Sequence, residues 1–282
     1  MQNTMLNSFA ILFGLFSAVS FGCGDFTGGY VTKKTNVLLV LFYSQIIGLI
    51  FLLISIFILG EELIFDSMFF SSISGIFGGL GLLAFYRGLS LGNMGMVAPI
   101  TAVVTPIIPL FYSFLKLEYT INQIVGIFLA LLSIWLVSSA KLEKKISYDD
   151  VSLAIIAGIG FGLFLLFIDL ASSNSSILQP ILFARFSSIT MIALVVLYSK
   201  KFEVIQPKIL GLTAIAGILD TVGNLFFIYS SKTGRLDFAS ILLSLGPVVT
   251  VLLAWKLLHE DLTKIQVIGI VLSVLAVALL SS

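Results

Sequence analysis

Charge is scarce in this chain. Of its 282 residues 10% are charged and 59% hydrophobic, against about 25% charged in a soluble domain. A mean hydropathy of +1.17 excludes a water-soluble α/β domain, whose surface would still have to face water. Net charge is +1, so nothing favours a nucleic-acid partner. Cysteine occurs once, as Cys23, which rules out an internal disulfide and a cysteine-based zinc site. Histidine also occurs once, as His259; it leaves little for metal or relay chemistry and reads as an ordinary loop residue. The opening MQNTMLNS has no basic stretch, so the first apolar run is expected to be a retained helix and not a cleaved leader. Gly22–Cys23 resembles a lipoprotein cleavage site, but Phe21 fits it poorly and cleavage would remove the first helix.

Several catalytic patterns are missing too. Gly79-x-Gly81-x-x-Ala84 imitates a dinucleotide fingerprint without a strand before it, so it reads as helix-packing glycine. There is no Walker motif, and His259-Glu260-Asp261 lacks the second histidine of a zinc protease. One loop histidine supports no serine-type triad. The expectation is no enzyme and no cofactor. An intramembrane enzyme acting on lipid would need a catalytic constellation that is not visible.

Long apolar runs are what the chain has. A helix spanning a bilayer needs about 20 apolar residues, and ten runs qualify: 8–30, 37–59, 67–91, 95–115, 121–139, 151–170, 178–199, 208–230, 236–256 and 263–281. Alternation of the kind a membrane β-barrel needs is absent. Backbone groups in lipid must bond within the segment, so the expected fold is all-α with ten transmembrane helices. The longest polar connection, KLEKKISYDD at 141–150, falls halfway. Residues 1–140 and 151–282 on either side of it resemble each other. Thr120-x-x-Gln123-x-x-Gly126 recurs as Thr263-x-x-Gln266-x-x-Gly269, and Phe85–Ala98 overlays Phe226–Ala239. Two five-helix units follow. Five is odd, so the second unit must insert upside down, the inverted repeat of many transporters.

The segments GDFTGGYVTKK (24–34), AFYRGLSLGNMGMVAPI (84–100) and LLAWKLLHEDLTKIQVIGI (252–270), with ten helices and a duplication, resemble the EamA-type branch of the drug/metabolite transporter superfamily over essentially the entire chain. That resemblance implies a secondary carrier for small metabolites or drugs in the cell membrane and leaves the cargo open. A lipid-carrier translocase of the same superfamily also fits. The chain is expected to work as a monomer or homodimer.

Lys and Arg favour cytoplasmic loops. The connections after the odd-numbered runs hold ten lysines, among them Lys33, Lys34, Lys144 and Lys145, whereas the opposite side holds Lys116, Lys232 and Arg235. The bias puts both termini outside, while the family resemblance implies cytoplasmic termini.

A charge at the bilayer centre costs about 2.5–3.5 kcal/mol, so each one inside needs a reason. Asp25 lies on a face with Ala18, Gly22 and Gly29, small residues that suit a neighbouring helix or a cavity wall. Position along the runs pairs Asp25 with Arg87 near one end and Asp169 with Arg185 near the other, as two gates or as two static neutralised pairs, with no pairing at all as the third alternative. Asp220 is the deepest acid, one turn from Asn224. Asp220 or Asp25 is the candidate proton carrier; the bland alternative is a carboxylate bonded to a neighbouring helix.

Pro99, Pro106 and Pro109 in the fourth run and Pro247 in the ninth predict bends around a central space. Tyr43, Gln45, Tyr86, Asn93, Thr101, Thr105, Asn224, Ser240 and Ser244 are the candidate lining; the alternative for each hydroxyl is a bond back to its own helix. The leading reading is an exporter of small organic molecules by alternating access, driven by a proton gradient or by the cargo's own gradient. The alternative is a scaffold or sensor on a transporter fold. A wetted central chamber favours the first, a dry packed centre the second.

Overall fold

A computed structural model describes residues 2–32, 34–61, 65–90, 94–138, 148–172, 176–199, 206–259 and 261–280. The first half holds α1 (Gln2–Thr32), α2 (Val37–Leu59), a single turn at Phe65–Ser67, α3 (Met68–Ser90), α4 (Met94–Val104), α5 (Ile107–Phe114) and α6 (Ile121–Ser138). The second holds α7 (Tyr148–Ser172), α8 (Leu178–Ser199), α9 (Pro207–Thr233), α10 (Leu236–Leu243), α11 (Gly246–Leu258) and α12 (Lys264–Leu280). No strand occurs among the described residues. Among the described residues eight helical segments are long and apolar enough to cross a membrane, with Leu236–Leu258 counted as one; Ile100–Phe114 and Lys264–Leu280 are apolar but shorter. Phe57, Ile58, Phe69 and Val274 are more than half exposed, an outer surface suited to lipid and not to water.

The fourth and ninth apolar runs are broken, not merely bent. α4 stops at Val104 and α5 restarts after Pro106; α10 stops at Leu243 and α11 restarts at Gly246, with Pro247 in its first turn. Proline has no N–H to give the previous turn. At the second break the ladder tightens to three-residue bonds, Leu245 N–H to Leu242 O at 3.1 Å and Val248 N–H to Leu245 O at 2.9 Å.

The repeated Thr-x-x-Gln-x-x-Gly now has a physical meaning. Thr120 Oγ1 accepts from Gln123 N–H at 3.3 Å while Gln123 Oε1 accepts from Thr120 N–H at 3.2 Å. Thr263 and Gln266 repeat the arrangement at 3.0 and 3.3 Å. Each is a capping box starting the last helix of its half. Each glycine then lies at the α6–α12 crossing: Gly126 meets Leu279 and Leu280, and Gly269 meets Leu136 and Val137.

That register also fixes direction. The start of α12 lies beside the end of α6, so these equivalent helices run antiparallel. α2 and α8 do the same: Leu39 packs with Ile192 and Val196, while Leu52 and Ile56 pack with Leu178, Ile181 and Leu182. α1 packs along α9 as α7 packs along α3. Units inserted in the same sense would pair their equivalents parallel. The two halves therefore run in opposite senses about an axis that passes between α2 and α8.

Two close crossings obey the same symmetry. A Cβ on Gly75 of α3 would lie 2.0 Å from the Ala184 carbonyl oxygen of α8, and one on Gly217 of α9 would lie 2.3 Å from that of Ser44 of α2. His259 ends α11 in the left-handed region (φ 55°), its N–H bonded to Ala254 O. Gly75→Ala and Gly217→Ala should each lower the thermal midpoint in detergent, because overpacking costs about 1–3 kcal/mol. Gly211→Ala, with nothing within 4 Å of the added carbon, should leave the midpoint level or raise it, since alanine gains about 0.5–1 kcal/mol over glycine inside a helix.

Candidate functional site

The two helix breaks face one chamber of about 400 Å3. Thr101 and Thr105 enter its wall at the first break, Ser244 and Pro247 at the second. Broken backbone is tolerated at membrane depth where it borders a cavity. Aromatic rings make up much of the remaining wall: Phe21, Phe85, Tyr86, Phe161 and Phe164.

The charged centre of the chamber is Arg185. Its side chain is 4% exposed. Nη1 donates to Gln45 Oε1 at 2.6 Å, and Nη2 donates to Asp220 and, at 2.8 Å, to Thr221 Oγ1. Gln45 and Arg185 directly follow Ser44 and Ala184, the two residues whose carbonyls receive the matched glycines. They are thus equivalents meeting at the pseudo-two-fold axis. Gly48 and Thr221 complete the nest; a Cβ on Gly48 would sit 2.6 Å from Thr221 Oγ1 and 3.0 Å from the guanidinium carbon.

This corrects the expected pairing. Arg185 takes Asp220 and not Asp169, because α8 crosses α9 at mid-depth whereas Asp169 lies near the end of α7. Asp169 lies beside Ser231 and Lys232 of α9. Nor does Asp25 pair with Arg87: Asp25 lines the chamber, while Arg87 is exposed and outside its wall.

The remaining sequence candidates divide. Gln45, Tyr86, Thr101, Thr105, Asn224 and Ser244 line the chamber. Tyr43 packs outward against Phe42 and the α2–α8 seam. Ser240 is fully buried behind the wall and donates to Asp237 O at 2.8 Å. Asn93 and connection residues 141–147 lie outside the described residues. The hydroxyl protons are mostly spent on backbone: Thr105 donates to Thr101 O, Ser244 to Ser240 O and Thr101 to Ala154 O, at 2.8–3.1 Å. Asn224 donates Nδ2–H to Asp220 O at 2.8 Å, but its buried Oδ1 has no partner.

The chamber is unevenly closed. Its lining reaches Gly29, Tyr86 and Ser138, near the ends of α1, α3 and α6; lysine-bearing connections leave α1 and α6. Toward the other end lies the largest buried apolar cluster, built from α2, α7, α8, α9 and α10 around Leu52, Ile168 and Phe227. A polar latch that sequence reasoning missed sits at that end. Arg235 donates to Asp237 Oδ2 at 2.9 Å, and Tyr119 donates to the same oxygen at 2.7 Å. The guanidinium lies 4.3 Å from the ring centres of both Tyr119 and Phe238. Burial, and then the bond to Asp237, holds the Tyr119 phenol above its usual range, so it remains a donor at neutral pH. The halfway overlay matches Arg235 and Asp237 to Met94 and Met96, so the first half has no counterpart of this pair.

The profile of a family described as the EamA-like transporter family matches the chain twice, over residues 8–139 and 151–282. An uncharacterized protein of Methanocaldococcus jannaschii is 28% identical over 131 residues, 46% of this chain and 95% of that one. A solved crystal structure superimposes with a TM-score of 0.78 over 96% of this chain and 97% of its own, at 17% identity. That likeness concerns the fold.

Removing one partner of a buried ion pair costs about 3–5 kcal/mol. Asp220→Asn should therefore lower the thermal midpoint markedly, and Asp169→Asn far less. A double-mutant cycle on Arg185→Gln and Asp220→Asn should give a coupling of about 1–3 kcal/mol. A cycle with Asp169 in place of Asp220 should give coupling near zero.

Proposed function

The chain belongs to the EamA-like transporter family, and from that premise we propose that it is a ten-helix secondary transporter that moves a small organic molecule by alternating access. It is a multi-pass membrane protein of a transporter family, not of an enzyme family. The observation that carries the mechanism is the pairing of two broken helices, one per inverted half, at a single chamber. Exchanging the conformations of the two halves would close the open end and open the closed one. The open chamber with converging polar groups also favours a carrier over a scaffold. One chain supplies the whole chamber, which suits a monomer.

The lysine-bearing end is the cytoplasmic end on this reading, since cationic connections favour that side. The structure is then the state that loads cargo from the cytoplasm, and export is the direction it serves. Asp25 is the acid we assign to the coupling proton. It lines the chamber without an ion-pair partner among the described residues, while Asp220 is committed to Arg185. The Arg235–Asp237–Tyr119 latch is the gate on the far side.

Reconstituted vesicles loaded with cell metabolite extract should show saturable counterflow of at least one component, driven further by an imposed pH gradient. Asp25→Asn should abolish the response to the gradient. Asp237→Asn should loosen the far end: a cysteine at Thr105, in a Cys23→Ser background, should become several-fold more reactive to an impermeant thiol reagent from the terminal side. Counterflow absent for every component would sink the carrier reading; unchanged cysteine reactivity would sink the gate.

A further inference from the structure

We propose that the cargo is a protonated organic amine with an apolar body, held between Asp25, Asp220 and the side-chain oxygen of Asn224. This assignment of substrate class rests on the transport reading above.

The argument starts from which charged groups the chamber presents. Three line it: Asp25, Asp220 and Arg185. The arginine is largely withdrawn, because three of its five N–H donors go to Gln45, Asp220 and Thr221 and its side chain is 4% exposed. Asp220 remains 34% exposed, and Asp25 is exposed to the chamber. The wall thus carries one positive and two negative charges, and the free faces are carboxylate. An anion entering here meets two like charges, and the one cation is buried and already paired with Asp220. A zwitterion gains for its ammonium and finds nothing charged for its carboxylate. A cation balances the wall.

A second observation points the same way. Asn224 is 6% exposed and lines the chamber, and its Oδ1 has no hydrogen-bond partner. A buried acceptor left unmade costs about 1–3 kcal/mol, so a ligand N–H that fills it gains from the exchange. Other acceptors line the same chamber: the carboxylate oxygens, and threonine and serine oxygens whose protons already go to backbone carbonyls. A donor-rich head is what this set recognises. The apolar remainder would lie against Phe21, Phe85, Tyr86, Phe161 and Phe164, whose ring faces also favour a cation. The 400 Å3 volume suits a molecule with one ring or a short chain.

The test is equilibrium binding to the full chain in nanodiscs, with four probes on one skeleton. Phenethylammonium carries the cation and N–H donors, hydrocinnamate the anion, phenylalanine the zwitterion, and phenethyltrimethylammonium the charge without N–H. Phenethylammonium should bind at least about tenfold tighter than the acid or the amino acid, the scale of a charge-assisted hydrogen bond. Asp25→Asn should remove most of that margin. Asn224→Leu should narrow the preference for the primary over the quaternary ammonium and leave the preference over the acid in place. Each variant is compared with the parent by thermal midpoint, so that misfolding is seen directly. Tighter binding of the acid or amino acid overturns the assignment, as does no measurable binding of the amine or an amine affinity unmoved by Asp25→Asn. Counterflow keeps the two readings separate: a carried acid refutes the amine and spares the carrier, whereas an amine that binds but is never carried does the reverse.

Discussion

The structure is organised around one buried guanidinium. Arg185 sits where α2 and α8 cross, on the axis relating the two halves, in a region where an isolated charge would be intolerable. Its position requires the neighbours it has. Gln45, its own equivalent from the other half, supplies a neutral oxygen; Asp220 supplies the countercharge; Thr221 supplies a hydroxyl; Gly48 leaves room. Matched glycines bring α3 onto α8 and α9 onto α2 close enough for these groups to meet. The charge is thereby locked to the scaffold and almost wholly buried in the chamber wall, so that the more exposed charged groups there are the carboxylates of Asp25 and Asp220.

Much of this was legible in the amino-acid order. Run length and hydropathy marked the helices, and the recurrence of Thr-x-x-Gln-x-x-Gly with Phe85–Ala98 marked the duplication. Proline marked the two interrupted helices, although the depth of the interruption depended on how the backbone was rebonded. Gln45, Tyr86, Thr101, Thr105 and Asn224 were found because polar residues in apolar runs are few. The partner of Arg185 was not legible. Distance along a helix says how deep a residue lies, not which neighbour it faces, and Asp220 and Asp169 are both within reach of such reasoning. Tyr43 and Ser240 went astray for the same reason: each occupies the right depth on the wrong side of its helix.

The Tyr119–Asp237–Arg235 latch was missed for a different reason. Arg235 and Asp237 fall at the start of an apolar run, where charges need no explanation, and Tyr119 lies in a short connection more than a hundred residues earlier. Only packing α10 beside the α5–α6 connection brings them together. The capping boxes show the opposite case. Their residues were noticed as a repeat, yet the repeat has a local cause, since each starts the short final helix of its half and needs no long-range partner to do so.

The two halves share a backbone plan but divide the chemistry unequally: Asp220, Arg185, Arg235 and Asp237 all belong to the second, opposite Gly78 or Gly79, Gln45, Met94 and Met96 in the first. Were the copies identical, the inward and outward postures would be degenerate by symmetry, and an empty carrier would dwell equally in both. Bonds present at a single end lift that degeneracy. In the proposed export cycle the unloaded molecule acquires a resting orientation, and the loaded stroke, which must break those bonds, becomes the climb, while the empty return runs downhill.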